Sequence, residues 1–181
     1  KSFLKWLEIN KDSLDLDSIH DAISKTNVLI TTVGPYQLYG SDIVKKCAEL
    51  GVHYVDLSGE PGWMHYMQEH QSVAKESGAR IVHSCGFDSI PSDLGVFFLQ
   101  KKAMEKYGSP FSTVKCGVRS MVGEFSGGTA ASLNATLQSI RKDPNMINIL
   151  INPFSLAEGF EGPAQPEGNA VVYDEDFNQW M

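Results

Sequence analysis

The sequence lacks the features that would indicate a membrane-spanning, disulfide-rich or nucleic-acid-binding protein. Its longest apolar runs fall short of the ~20 residues that a transmembrane helix needs. The three cysteines, Cys47, Cys85 and Cys116, lie far apart without a CxxC pair. This predicts no metal site and favours a reduced, cytoplasmic setting. The net charge of −7 disfavours a nucleic-acid partner, because phosphate binding needs a basic face.

Several catalytic signatures are absent as well. The sequence contains no P-loop, no HExxH and no GxSxG. Nothing between Lys1 and Asn27 has the GxGxxG spacing of a dinucleotide-binding phosphate loop. If the chain is part of a dinucleotide-binding fold, we expect the first strands to lie upstream of Lys1 and the chain to be an internal fragment.

The residues that are present predict an α/β fold. Hydrophobic residues make up 42% and charged residues 20% of the 181 positions, as in ordinary soluble globular proteins. Short apolar runs at residues 27–33, 52–57 and 80–84 predict strands. Helical patterns at residues 41–50 and 61–77 separate these runs, and another begins near Ile90. Two consecutive βαβ units predict a parallel sheet with helices covering it, and the first run has the composition of a strand buried on both faces.

The pattern changes after Gly108, where we place a domain boundary. Residues 113–121 alternate between apolar and polar side chains, which predicts a strand with one solvent-facing side. Residues 127–142 predict a helix of small residues, and residues 152–169 predict a long loop rich in proline and glycine. The expected organisation is a first domain at residues 1–108 and an incomplete second α/β domain at residues 109–181.

The predicted carboxyl ends of the three strands each carry a glycine at which a ligand could approach the backbone. These segments are residues 33–36, 56–60 and 85–88. Parallel strands bring their carboxyl ends to one edge of a sheet, so the segments are expected to lie together. A dinucleotide or similarly long ligand across this edge is the preferred interpretation, and ordinary strand–helix connections are the alternative.

Five side chains near this edge have two interpretations each. Tyr36 could stack on a base, cover a nicotinamide or donate a proton, although a loop tyrosine more often packs with its hydroxyl in water. Asp56 could accept from a ribose, but it more often accepts amides of the following turn. Glu60 suits the first turn of a helix and a ligand site equally. His83 and Cys85 could act as acid and nucleophile, but their place in a buried strand favours a structural role.

Six blocks of the sequence carry a resemblance to a known family. They are VGPYQLYG at residues 33–40, YVDLSGEPGW at 54–63, CGFDSIPSDLG at 85–95, SGGTAAS at 126–132, NPFSL at 152–156 and QWM at the end. In their order and spacing, these blocks resemble the saccharopine dehydrogenase-like oxidoreductases, a family that includes the trans-acting enoyl reductases of lipid synthesis.

The resemblance implies part of a Rossmann-type NAD(P)-binding domain, followed by part of a mixed α/β second domain. It implies NADP or NAD as the cofactor, no metal and no assignable catalytic residue. Its candidate cofactor contacts are Gly34, Pro35, Tyr36, Gly86, Phe87 and Asp88. It also implies a small-molecule or lipid-type substrate, allows a homodimer, and is compatible with a cytoplasmic protein that associates peripherally with membranes.

The leading hypothesis is therefore an NAD(P)-dependent oxidoreductase that transfers hydride between a nicotinamide and an unsaturated or imine carbon. The cofactor would supply the chemistry, and the protein would supply orientation and electrostatics. The alternative is a non-catalytic nucleotide-binding or scaffold protein that keeps the fold, favoured by the lack of an evident acid–base pair. Because the phosphate-binding glycines have no counterpart here, residues 1–181 alone are expected to bind NAD(P)H weakly and to be inactive.

Overall fold

A computed structural model of the protein describes residues 16–124, 126–162 and 171–180. Strands and helices alternate in the first part of the chain, and helices dominate the second part. In chain order the elements are α1 (Leu16–Ser24), β1 (Val28–Thr31), α2 (Tyr36–Tyr39), α3 (Ser41–Leu50), β2 (His53–Asp56), α4 (Pro61–Met67), a 3₁₀ turn (Gln68–His70), α5 (Gln71–Ser77), β3 (Ile81–Val82), α6 (Ile90–Tyr107), α7 (Gly127–Lys142), α8 (Met146–Ile151), β4 (Tyr173–Asp174) and β5 (Gln179–Trp180).

The first three strands form one parallel sheet in the order β1-β2-β3. Leu29 lies opposite Tyr54 in the first pairing, and Tyr54 lies opposite Ile81 in the second. Both pairings are parallel, because a helical connection joins each strand to the next. The predicted α/β arrangement is confirmed, and the strand order is consistent with a Rossmann-type sheet.

The core lies on one face of this sheet. Tyr54 on β2 is fully buried and faces α3, which ends at Gly51 in the left-handed conformation, with φ of 71°. α1 and α4 complete the layer through Ile23 and Met64. The buried residues of α3 recur at helical spacing and so share one side of the helix: Ile43, Val44, Cys47 and Ala48.

The other face of the sheet is open in the part of the chain that the structure describes, and the prediction of burial on both faces is wrong there. Val28, Ile30 and Val82 lie on this face, and Ile30 is 64% exposed. Side chains alternate across a sheet, and the core helices pack only against the opposite side. α6 does not cover the open face: only Ala103 of this helix is buried, and Phe97 is 66% exposed. Composition indicates that a strand can be buried on both faces, but not which elements cover it.

The strand predicted at residues 113–121 is not formed. Lys115 of this segment instead forms side-chain ion pairs with Asp174, at 2.9 Å, and with Asp176. These aspartates belong to the antiparallel β4–β5 hairpin, in which Tyr173 lies opposite Trp180. Alternation describes side chains, whereas a strand also needs backbone pairing with a neighbour, and residues 113–121 contact the hairpin through side chains. The second part of the chain is still mixed α/β.

Helix α7 forms where the small residues predict it. The Ser126 hydroxyl accepts the Thr129 amide at 3.1 Å and caps its first turn. The predicted loop is observed as turns through residue 162, and its residues 163–169 lie outside the described ranges. α6 ends at Gly108, with φ of 72°, where the domain boundary is predicted. The boundary itself stays a prediction.

Two glycines give a matched test of this packing. A Cβ at Gly40 would lie 2.7 Å from Cζ2 of Trp63 and 2.8 Å from the Tyr36 carbonyl oxygen, whereas a Cβ at Gly95 in α6 would meet nothing within 4 Å. Gly40→Ala should lower the free energy of unfolding by about 1–3 kcal/mol through overpacking. Gly95→Ala should raise it by about 0.5–1 kcal/mol, because alanine loses less entropy in a helix. Urea unfolding measures both, and equal midpoints for the two variants would contradict the packing described around Trp63.

Candidate functional site

The carboxyl ends of β2 and β3 open into a cavity of about 500 Å³, here named the edge cavity. Volumes of this order are typical of small-molecule sites. The lining combines glycine backbone with one aromatic and one acidic side chain. The lining includes Leu57, Gly59, Gly86, Phe87, Asp88 and Leu156.

Asp56, at the end of β2, takes part in four hydrogen bonds through its two carboxylate oxygens. Its Oδ1 accepts the amides of Ser58 and Ser84, both at 2.9 Å. Its Oδ2 accepts the Tyr54 hydroxyl at 2.9 Å and Nδ1 of His83 at 2.7 Å. Burial alone would raise the pKa of Asp56, but the hydrogen bonds from His83 and the two amides outweigh burial and hold the pKa below its usual value. The role predicted as commoner for Asp56, accepting amides of the following turn, agrees with the structure.

His83 is fixed in orientation by three neighbours. Its Nδ1 bonds Asp56, and its ring packs edge-on against Trp63 and Tyr54, with centroid distances of 5.0 and 5.6 Å. Its side chain is 17% exposed. The histidine is therefore structural in that it joins β3 to β2, as predicted, but one edge of its ring remains accessible.

Glu60 is a second buried carboxylate, four residues after Asp56 and 3% exposed. Its two oxygens accept the amides of Tyr36 and Gln37, each at 2.9 Å, and the Ser132 hydroxyl at 2.8 Å. Tyr36 and Gln37 form the first turn of α2, so Glu60 supplies the negative charge that a helix N-terminus favours. Glu60 precedes α4 in the chain, but its side chain caps α2.

A polar stripe on α7 completes this network. The Gln37 side chain donates to Glu60 at 3.0 Å and to the Thr136 hydroxyl at 3.2 Å, and accepts from the Ser139 hydroxyl at 2.6 Å. Ser132, Thr136 and Ser139 lie on one side of the helix, at steps of four and three residues. The network, here named the Glu60 network, fixes α7 against α2.

The six predicted cofactor contacts fall into two groups. Gly86, Phe87 and Asp88 all line the edge cavity, where Phe87 is 69% exposed. Gly34, Pro35 and Tyr36 lie at the end of β1, beside α7: a Cβ on Gly34 would be 3.7 Å from the Ser132 hydroxyl oxygen. These six assignments stay predictions. Of the six, the structure brings Gly86, Phe87 and Asp88 together at the edge cavity.

Tyr36 behaves as a packing residue. Its ring is buried and stacks on Trp63 with a centroid distance of 5.5 Å, and its hydroxyl donates to the Thr31 carbonyl at 3.3 Å. Burial raises the pKa of this hydroxyl, which makes it a weaker acid. The sequence predicted a hydroxyl that either contacts a ligand or lies in water. In the structure this hydroxyl is buried and bonds the protein backbone.

Gly86 and Gly34 differ in whether contacts within the protein require a glycine at that position. A Cβ on Gly86 would lie 2.9 Å from Cβ of Leu57, so the neighbouring loop already explains a glycine there. A Cβ on Gly34 would make only ordinary contacts, the nearest at 3.5 Å from the Tyr36 ring. Protein packing does not explain the glycine at position 34.

A second cavity, of about 480 Å³, follows β3 and is here named the β3 cavity. It extends from His83 and Ser84 past Ile81 to Ala79, beneath α4 and α5. Met64, Ser84 and Leu156 line both this cavity and the edge cavity, so the two adjoin.

The pairing of His83 with Asp56 is not evident from the sequence. The two residues are 27 positions apart, so no spacing motif links them. A signal was present, since both lie near the carboxyl ends of neighbouring predicted strands, where a parallel sheet places side chains together. In the described ranges, no group of three or more His, Cys, Asp or Glu side chains is arranged to hold a metal ion. None of the helices described has the length and apolarity needed to cross a membrane.

Comparison with known proteins finds relatives named as enoyl reductases. The chain is 39% identical over 163 residues to a Mycobacterium tuberculosis protein named as a candidate trans-acting enoyl reductase, covering 90% of this chain and 38% of that protein. It is 33% identical over 153 residues to a trans-acting enoyl reductase of Mycobacterium ulcerans, covering 83% of this chain and 37% of that protein. A lipid droplet localized protein of Caenorhabditis elegans is 50% identical over 91 residues, covering 50% of this chain and 21% of that protein.

The chain thus spans less than two fifths of the length of the curated relatives it matches. No family model matches the chain. No solved structure matches it either. The named relatives support an enoyl reductase-like family and an oxidoreductase type of function.

The Glu60 network gives a prediction for stability. In Glu60→Gln, an NH₂ group replaces one acceptor oxygen and faces a donor, so the free energy of unfolding should fall by about 1–3 kcal/mol. Glu49→Gln on α3 is the matched control, since this exposed carboxylate bonds only Lys46 and its loss should have little effect. Urea unfolding compares both variants with the parent protein. If both variants unfold at the same urea concentration, the network does not stabilise the fold.

Proposed function

We propose that the protein containing this chain is an NAD(P)-dependent enoyl reductase acting on an acyl or lipid-type substrate. The observation that carries the proposal is the convergence of the β2 and β3 carboxyl ends on one cavity in a chain similar to named enoyl reductases. In parallel α/β sheets this edge is where ligands bind. The name of the lipid droplet localized relative agrees with a lipid-type substrate and with peripheral attachment to a lipid surface.

The residues of the edge cavity fit the nicotinamide half of the cofactor. Phe87 offers an exposed aromatic face, and the exposed carboxylate of Asp88 can accept ribose hydroxyls. Gly59 leaves its backbone open, with nothing within 4 Å of a Cβ built there. When bound, the cofactor would supply or accept hydride, and these residues would orient its ring and ribose.

The phosphates of the cofactor do not fit the first turn of α2. Helix N-termini commonly bind phosphate, but the amides of Tyr36 and Gln37 already bond Glu60. A second anion there would face the Glu60 carboxylate at close range. We therefore place the phosphates on other parts of the protein.

A non-catalytic nucleotide-binding or scaffold protein is the second candidate. The buried Glu60 network favours it, because a carboxylate that occupies a helix N-terminus needs no ligand. Hydride transfer by the full-length protein separates the two candidates.

The test uses the full-length protein with NADPH or NADH and a trans-2-enoyl thioester. The proposal expects oxidation of the reduced cofactor and formation of the saturated thioester, measured by absorbance and mass spectrometry. Tight cofactor binding without turnover on any enoyl chain length would favour the scaffold candidate.

The variant Gly34→Ala tests whether the cofactor binds next to the end of β1. The added Cβ makes only ordinary contacts within the protein, so the variant should fold normally and its melting temperature should match that of the parent. If the backbone at Gly34 approaches the cofactor, the Kd for NADPH should rise about tenfold or more, since a clash of ~1.4 kcal/mol has that effect. Lys45→Ala, at an exposed position of α3, is the control and should bind like the parent. A stable Gly34 variant with unchanged affinity would move the cofactor away from β1.

A further inference from the structure

His83, which is bonded to Asp56, lines the β3 cavity and directly precedes Ser84, one of the residues that line both cavities. We propose that His83 is the proton donor of the reduction and that Asp56 is the residue that positions it. The inference rests on the proposed function, since it names the acid for that same reaction.

The hydrogen bonds of Asp56 determine which nitrogen of His83 carries a fixed proton. Tyr54, Ser58 and Ser84 already donate three hydrogen bonds to the two oxygens of Asp56. The carboxylate therefore acts as an acceptor, so Nδ1 of His83 carries the hydrogen of the 2.7 Å bond. A carboxylate behind one nitrogen also stabilises the positive charge when the other nitrogen is protonated.

Nε2 is the nitrogen left for chemistry. No residue in the described ranges forms a hydrogen bond with it, and the ring lines the β3 cavity. Trp63 and Tyr54 pack against the ring, so its orientation is set before any ligand binds. A positioned imidazole with one free nitrogen at a cavity wall has the geometry of a general acid.

The cavities provide a path for an acyl substrate past this nitrogen. The lining of the β3 cavity mixes apolar side chains with polar ones such as those of Gln68 and Lys75. Its apolar members, Met64, Met67 and Ile81, suit an aliphatic chain because methionine adapts to irregular apolar shapes. The edge cavity, where we place the nicotinamide, adjoins it at Ser84 and Leu156. A thioester that spans both cavities brings its double bond near the junction, beside His83.

The proposed step conserves protons and electrons. The β-carbon of the enoyl thioester accepts a hydride from NAD(P)H, the reductant of the proposed function, and the C=C pair moves onto the α-carbon as an enolate. The Nε2–H bond of protonated His83 breaks, and its proton forms the new C–H bond at the α-carbon. Neutral His83 then takes a proton from water, and the products are the saturated thioester and NAD(P)⁺.

The competing explanation is that His83 only joins β3 to β2 as a buried hydrogen-bond donor. A structural histidine affects stability and all activities together. A proton donor affects the turnover rate and leaves cofactor binding intact. The experiment is designed around this difference.

The test compares His83→Gln with His20→Gln in the full-length protein, using NADPH and a trans-2-enoyl thioester. Loss of a general acid should lower kcat about 100-fold or more, while the Kd for NADPH stays within about twofold of the parent. His20 lies exposed on α1, and its variant should turn over like the parent. In His83→Ala, added imidazole should restore part of kcat, since it can enter the space that the side chain leaves.

A measurement on the unaltered protein covers the case in which these variants fail to fold. Diethylpyrocarbonate modifies accessible imidazole nitrogens, and mass spectrometry locates the modified residue. A saturated acyl thioester should protect His83 from modification and leave His20 unprotected.

The outcomes separate the two claims. A parent that oxidises NADPH, together with a His83→Gln variant of equal kcat, overturns the role of His83 and leaves the proposed function standing. Absence of protection of His83 by the thioester likewise overturns it. A parent that reduces no enoyl thioester overturns the proposed function, and the role of His83 with it.

Discussion

Two buried carboxylates at the end of β2, Asp56 and Glu60, impose the constraint on which the rest of this structure depends. Neither forms an ion pair with a lysine or arginine in the described ranges; apart from the contact of Asp56 with His83, both are satisfied by hydrogen bonds. A buried charge without donors costs several kcal/mol, and each hydrogen bond to a charged group returns about 1.5–3 kcal/mol. The surrounding loops therefore have to present their amides to these oxygens. Asp56 fixes the end of β3 in this way, and Glu60 fixes α2 and α7.

This arrangement divides the carboxyl edge of the sheet into two parts. At β1, the amides that could bind an anion are already occupied by Glu60, and α7 packs over them through hydroxyl side chains. At β2 and β3, the backbone turns away after Asp56 and leaves the edge cavity open. The same principle that favours ligands at helix N-termini thus explains why one part of the edge is closed to phosphate and the other part can accept a ring.

The chemistry that the relatives' names imply needs a hydride donor, a proton donor and room for an acyl chain. No acid–base pair is evident from the sequence alone, and this favoured a scaffold. In the folded chain, His83 bonds Asp56 and lines the β3 cavity next to Ser84, which lines both cavities. The proposed proton donor therefore lies beside the cavities in which the cofactor and the acyl chain are placed.

The sequence by itself determined the local elements: the three parallel strands, α3 with its glycine stop at Gly51, and the small-residue helix α7. These follow from neighbouring residues, through periodicity, β-branching and the left-handed conformation that glycine permits. Only the tertiary structure decided that Glu60 bonds Ser132, 72 residues away, and that Asp56 bonds His83. It also decided that residues 113–121 form no strand and that one face of the sheet stays open. The physical reason is that a polar side chain, a strand edge or a sheet face is satisfied by whatever partner the fold brings near. That partner is set by the arrangement of the whole chain and not by the pattern of adjacent residues.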